Sequence, residues 1–200
     1  MGQPNHVFDL DRIQGGLVVR WGKPGESLKL LNEQTVEPAP DSSAAALKVG
    51  VVADASGPIS LAGIMGGEST AVSDTTQNIY VEAAFWWPVA IAGRARRFNF
   101  TTDAGHRFER GVDPIGVELA SKRAAKLILE LAGGKLCEGV IRVGANPPTP
   151  RAIDLRADRC NSLLGVKLET SHMVELLGRL GLHPRLAANQ PQDEITCVVP

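Results

Sequence analysis

No apolar run in this 200-residue chain is long enough to cross a bilayer. The most apolar window, Ala83 to Gly93, falls far short of the roughly 20 residues that a membrane span needs. The first six residues, Met-Gly-Gln-Pro-Asn-His, lack the basic region and apolar core of a secretory signal. Cysteine is scarce: Cys137, Cys160 and Cys197 are odd in number and far apart, with no CxxC pair and no histidine at ligand spacing. That argues against a disulfide framework and against a zinc site, and for reduced thiols in a cytoplasmic protein. An excess of one charge is missing too. Lys plus Arg total 21 and Asp plus Glu 22, for a net charge of -1. A wholesale polyanion binder is excluded, so any nucleic-acid contact has to come from a local patch. Glycine (21) and proline (13) are plentiful, yet below the level of about 25–30% that marks disorder. What remains is an ordinary globular chain, long enough for one domain or one and part of another.

The first half reads as β-rich. Runs of branched or apolar residues lie at Leu17 to Trp21, Ser27 to Leu31, Val49 to Ala53, Ile59 to Ala62 and Asn78 to Ala84, with turn residues between most of them. Glu37 to Ala46, with two prolines and an alanine tract, reads as a surface loop. A helix follows, with Asp113 as its cap, Pro114 in its first turn and Gly133-Gly134 as its stop. Its apolar stripe is Ala124, Leu127, Ile128 and Leu131. Gly139 to Val143 reads as a strand, and Asn146-Pro-Pro-Thr-Pro150 as a linker. Beyond it come a strand (Ala152 to Leu155), a helix ending near Gly165, a second helix between Ser171 and Gly181, and a strand through Ile195, Cys197 and Val199.

Three segments are too polar and glycine-rich for their surroundings: Gly2 to Asp11, Leu61 to Glu68, and the stretch from Glu82 to Pro114. In Gly63-Ile-Met-Gly-Gly67 the glycines serve either a tight turn or a wall that a ligand approaches closely, since glycine has no Cβ. Glu82 sits in an apolar run, where a lone carboxylate costs several kcal/mol unless satisfied. Either a nearby arginine pairs with it, or it waits for a donor on a ligand. His6, flanked by Asn5 and Asp9, is the histidine of most interest. Arg94, Arg96, Arg97, Arg107 and Arg110 form either an ion-pair network or a patch for phosphates.

Taken in order, these segments resemble the β subunit of bacterial phenylalanine–tRNA ligase. The likeness is carried by Gly2-Gln-Pro-Asn-His-Val-Phe-Asp-Leu-Asp-Arg-Ile13, Gly63-Ile-Met-Gly-Gly-Glu68, Arg94-Ala-Arg-Arg97 and Thr102-Asp-Ala-Gly-His-Arg-Phe-Glu-Arg-Gly-Val-Asp-Pro114. The resemblance implies an α+β fold. A mixed-sheet editing domain would occupy residues 1–146 without its N-terminal part. A linker would follow at 147–150, and a truncated winged-helix-like module at 151–200. It implies hydrolysis of tyrosine wrongly esterified to the phenylalanine tRNA, because a synthetic pocket for an apolar ring rejects an added hydroxyl only about a hundredfold.

By motif position, Glu82 recognises the tyrosine hydroxyl, Thr102 and Ala104 line the pocket and Gly66 forms a wall. His6 positions water at the ester, and His6 and Thr102 are the catalytic candidates. Arg94, Arg96 and Arg97 would contact tRNA. No metal site is expected here. ATP and magnesium belong to the parent enzyme, whose other partner is an alpha subunit in an alpha2-beta2 heterotetramer. The alternative is a non-catalytic structural or tRNA-docking fragment of the same subunit. Three departures stand out. Gly105 replaces a usual serine and is expected to loosen the turn at Thr102. Asn5 replaces an apolar residue before His6. The stretch from about Ala44 to Gly57 is longer than usual and is expected to be a surface change.

Overall fold

The computed structural model describes residues 2–39, 48–145, 148–186 and 193–199. Parts of the expected loop at 37–46, of the long stretch at 44–57 and of the linker at 146–150 lie outside the described residues. The chain divides into two compact units, residues 1–145 and 146–200.

In the first unit the branched runs form strands as their spacing predicts. Strands β2 (Val18–Trp21), β5 (Gly50–Asp54), β6 (Gly57–Leu61) and β7 (Met65–Gly66) make a four-stranded sheet in the order β2-β5-β6-β7. Its inner residues Val51, Ala53 and Leu61 are fully buried and pack with Leu28, Leu30, Val49, Ile64, Ile91 and Phe108. Within the described part of the long stretch, Val51 to Asp54 is buried sheet, whereas Ala55 and Ser56 form an exposed turn. Short strands β3 (Leu28–Lys29) and β4 (Thr35–Val36) form a hairpin beside it.

Another strand, β1 (Asn5–Asp9), comes from the polar motif at the N-terminus and pairs with β8 (Ile79–Ala83). Composition hid it, because Asn5, His6 and Asp9 outnumber its apolar residues and its pairing is set by β8. Helix α1 (Pro88–Ile91) leads towards α2 (Asp103–Arg110). Helix α3 (Val117–Ala132) ends at Gly133, whose φ is +73°. It begins later than the sequence suggested. The Asp113 carboxylate accepts from the Ile115 N–H, holding the turn before the helix instead of capping it. The stretch 139–143 forms no strand and is exposed. It lacks a partner sheet edge among the described residues, and apolar content alone does not make a strand.

The second unit has β9 (Arg151–Arg156), α4 (Ala157–Leu164), α5 (Thr170–Arg179), β10 (Arg185–Leu186) and β11 (Glu194–Val199), with sheet order β10-β11-β9. Its small core is Ala157, Met173, Ile195 and Cys197. Glu169, not Ser171, occupies the cap position of α5. The class is α+β, as expected. Every strand pairing among the described residues is antiparallel, where a mixed sheet was expected. No described helix is long and apolar enough to cross a membrane.

Candidate functional site

The β1–β8 ribbon sets the geometry. Its register places His6 opposite Glu82 and Phe8 opposite Tyr80. Residues directly opposite in an antiparallel pair share a face, as do alternate residues along one strand. His6, Phe8, Tyr80 and Glu82 therefore form one surface. The His6 and Phe8 rings meet edge to face with centroids 4.4 Å apart, and those of Phe8 and Tyr80 lie 6.3 Å apart. Phe8 is fully buried against Val52, Ile59 and Ala62.

The glycine loop closes over this ribbon. A Cβ placed on Gly66 would lie 2.6 Å from His6 Nε2, inside the space that the ring occupies. Gly63 has φ +67°, and a Cβ there would meet Trp86 Cδ1 at 2.7 Å. Gly67 is hemmed in by the Ile59 carbonyl oxygen at 2.6 Å. The tight-turn reading of the loop holds. It turns tightly, and it is approached closely by the protein's own rings.

Thr102 ties α2 to the same loop. Its hydroxyl donates to the Ile64 carbonyl at 2.8 Å and accepts from the Gly105 N–H at 2.9 Å, as an N-cap does. Gly105 is buried, and a Cβ there would lie 3.0 Å from the Thr102 hydroxyl. The Thr102 cap is thus made with glycine at position 105. Ala104 is half-buried and packs against the main core, which includes Ile64. A small cavity of about 40 Å³ beside Thr102 is lined also by Arg96, His106 and Glu109. It has room for a water but not for an aromatic ring. His6, Gly66, Glu82 and Ala104 do not line it.

Electrostatics mark the ribbon. The Glu82 carboxyl makes no hydrogen bond or ion pair among the described residues, so the arginine-paired reading fails there. Burial pushes its carboxyl up to about 7. Burial also holds His6 below the usual imidazole range, favouring the neutral ring. Two nitrogens, His6 Nε2 and Trp86 Nε1, are buried without a hydrogen-bond partner. Trp86 escaped the sequence reading because it stands in an aromatic run that looks like plain core. Only its orphaned N–H distinguishes it.

The basic run separates into different roles. Arg94 donates to the Lys48 carbonyl at 2.9 Å and the Val89 carbonyl at 2.7 Å, and its guanidinium lies 5.3 Å from the Trp21 ring centre. Arg97 donates to the Glu37 carbonyl and covers Phe98. Arg96 is 70% exposed and makes one long ion pair, 3.6 Å, with Glu109. Arg107 and Arg110 pair with Asp103 and Glu109. Among the described residues, no group of three or more His, Cys, Asp or Glu side chains could hold a metal ion.

The sequence pattern of the B3/4 domain family matches residues 1–133. The phenylalanine–tRNA ligase beta subunit of Ralstonia nicotianae is 52% identical over 182 residues, covering 91% of this chain and 22% of that protein. The beta subunits of Burkholderia lata and Bordetella pertussis are 51% and 48% identical over the same span. The chain thus spans about a fifth of the length of these curated relatives. Among solved structures, an N-terminal fragment of the phenylalanyl-tRNA synthetase beta subunit from Pyrococcus horikoshii aligns at a TM-score of 0.45 and 14% identity, covering 98% of this chain and 53% of that one.

Proposed function

The chain belongs to the B3/4 domain family, and on that footing we propose that it is the editing part of a phenylalanine–tRNA ligase beta subunit, hydrolysing tyrosyl-tRNA(Phe). The observation that carries this reading is Glu82: a carboxyl without a partner among the described residues, raised to about 7 by burial, opposite a neutral histidine across one ribbon.

Near pH 7 both forms of Glu82 are populated. The carboxylate accepts from a phenol hydroxyl, and the neutral acid donates to it. A phenyl ring offers neither partner, so phenylalanine leaves the group unpaired and is disfavoured. The ester itself is cleaved by water, which adds to the carbonyl carbon. Its proton ends on the leaving ribose oxygen. A neutral imidazole at His6 has one nitrogen free to accept from that water and orient it. Thr102 serves by holding the Gly63–Gly67 loop on α2. Gly66 keeps the wall thin enough for the His6 ring to lie flat on it. Ala104 stays small beside that loop. The test is deacylation of tyrosyl-tRNA(Phe) by the 200-residue chain, with phenylalanyl-tRNA(Phe) as the comparison. Tyrosyl-specific hydrolysis is expected. Retarded migration of tRNA without hydrolysis would instead support the non-catalytic docking fragment.

In the same reading, residues 1–146 are the editing domain, 147–150 a linker and 151–200 a winged-helix-like module. The synthetic reaction with ATP and magnesium, and the alpha subunit of an alpha2-beta2 assembly, belong to the longer protein in the cytoplasm. Among the described residues, no His, Cys, Asp and Glu side chains are grouped to hold a metal ion. For tRNA contact, Arg96 is the candidate of the basic run, with Arg97 beside it. Arg94 is committed to two backbone carbonyls. Arg96→Ala is expected to weaken tRNA binding and flatten its salt dependence by about one unit of slope. Arg94→Ala is expected to lower the melting temperature more than the slope. Binding titrations at several salt concentrations, with melting curves, check both.

A further inference from the structure

We propose that Trp86 is a further binding residue of this site, its indole N–H donating to the carbonyl oxygen of the bound aminoacyl group. The inference rests on the editing reading above and adds a group that neither the motifs nor the family's pattern singled out here.

Two rings close on the glycine loop, His6 at Gly66 and Trp86 at Gly63. Each carries a buried nitrogen with no hydrogen-bond partner among the described residues. Buried polar atoms are paired in most folded proteins, so an orphan calls for a ligand or a water. The indole N–H is a donor only, so its missing partner is an acceptor oxygen. Packing holds the ring in place. Trp86 lies against both apolar clusters of the first unit, and the missing Cβ of Gly63 leaves room for the indole.

A tyrosyl ester narrows the choice of oxygen. Its ammonium accepts nothing, and its phenol belongs to Glu82, four positions earlier in the chain. Of the acceptors that remain, the carbonyl oxygen is stronger than the bridging ester oxygen, and it gains negative charge as water adds. A fixed donor at that oxygen strengthens in the transition state, so it speeds the reaction as well as binding.

The test uses the full 200-residue chain, labelled with nitrogen-15. Its three tryptophans give three indole N–H signals, and Trp86→Phe identifies the one in question. Trp21 and Trp87 are half-exposed and serve as internal controls. L-Tyrosinamide supplies the carbonyl in a form that resists hydrolysis, and tyramine lacks it. The Trp86 signal is expected to move downfield to saturation with tyrosinamide and to stay in place with tyramine, while the His6 ring signals respond to both. In deacylation, Trp86→Phe is expected to slow both esters alike, by about two- to tenfold. The ratio of tyrosyl to phenylalanyl rates stays unchanged. A Trp86 signal that does not move while the His6 signals do overturns the inference and leaves the editing reading standing. So does wild-type hydrolysis of both esters by Trp86→Phe. Silence of both residues towards tyrosinamide overturns the site and this inference together.

Discussion

Replacing Glu82 with Ala is expected to shrink the preference for tyrosyl over phenylalanyl ester by roughly ten- to a hundredfold, the worth of a hydrogen bond to a charged group. Loss should fall on the tyrosyl ester, because the phenyl ring never paired with the carboxyl. Stability is expected to move the other way from an ion-pair loss. The folded state holds the Glu82 proton up to about pH 7, whereas the unfolded chain releases it near 4.5. Between those values the folded state binds more protons, so stability falls as pH rises through that window. Above pH 7 the buried charge costs up to ~3 kcal/mol. Glu82→Gln keeps the volume and removes the charge, so it is expected to be more stable than wild type at pH 8 and about equal at pH 4.5. His6 acts with the opposite sign: its lowered value makes the fold lose stability as pH falls below about 6.5. Rate ratios for the two esters, and melting curves at pH 4.5 and 8, read these effects. An unchanged ratio with a lower melting temperature at pH 8 would return Glu82 to a structural role.

Gly66→Ala is expected to reduce tyrosyl-ester hydrolysis by on the order of a hundredfold while leaving the chain folded. The new methyl group would occupy the space of the His6 ring, only 2.6 Å from Nε2. Gly66 has no positive φ among the special backbone angles, so alanine is not strained there for conformational reasons. The ring must move, and a displacement of about 1 Å at a positioning group can cost about a hundredfold. Overpacking should lower stability by about 1–3 kcal/mol. The double variant with His6→Ala separates causes. If Gly66 acts through the ring, adding Gly66→Ala to His6→Ala changes the rate little, because the methyl group then meets open space. A further hundredfold drop in that background would mean that Gly66 touches the substrate directly. At the next position the outcome differs. Gly67 faces the Ile59 carbonyl, which cannot rotate away, so Gly67→Ala is expected to lose stability rather than activity alone.

Local sequence determined most of the elements. The branched runs became β2, β5, β6 and β8 because short runs of branched and aromatic residues between turn residues favour the pleated strand. The periodic stripe after Pro114 became α3, and Gly133 and Gly165 ended helices through their left-handed backbone. The motifs in order were enough to name a family, and the pattern of the B3/4 domain matches residues 1–133. Elsewhere sequence was a poor guide. His6 and Asn5 gave no strand signal, since the β1 pairing is decided by the partner strand Ile79–Ala83, more than seventy positions away. The stretch 139–143 had the composition of a strand and pairs with no strand among the described residues.

Whether five arginines made a patch or a network was equally undecidable from spacing. Which carbonyls Arg94 reaches depends on Lys48 and Val89, brought close only by the fold. The same holds for the site. Sequence placed Glu82 in an apolar run and could say that it needed a partner. Only the tertiary structure decided that no described arginine supplies one, that His6 stands opposite, and that Trp86 adds an unpaired donor. Desolvation is a property of everything packed around a group, so the shifts of Glu82 and His6 arise with the packing and are written in no local motif.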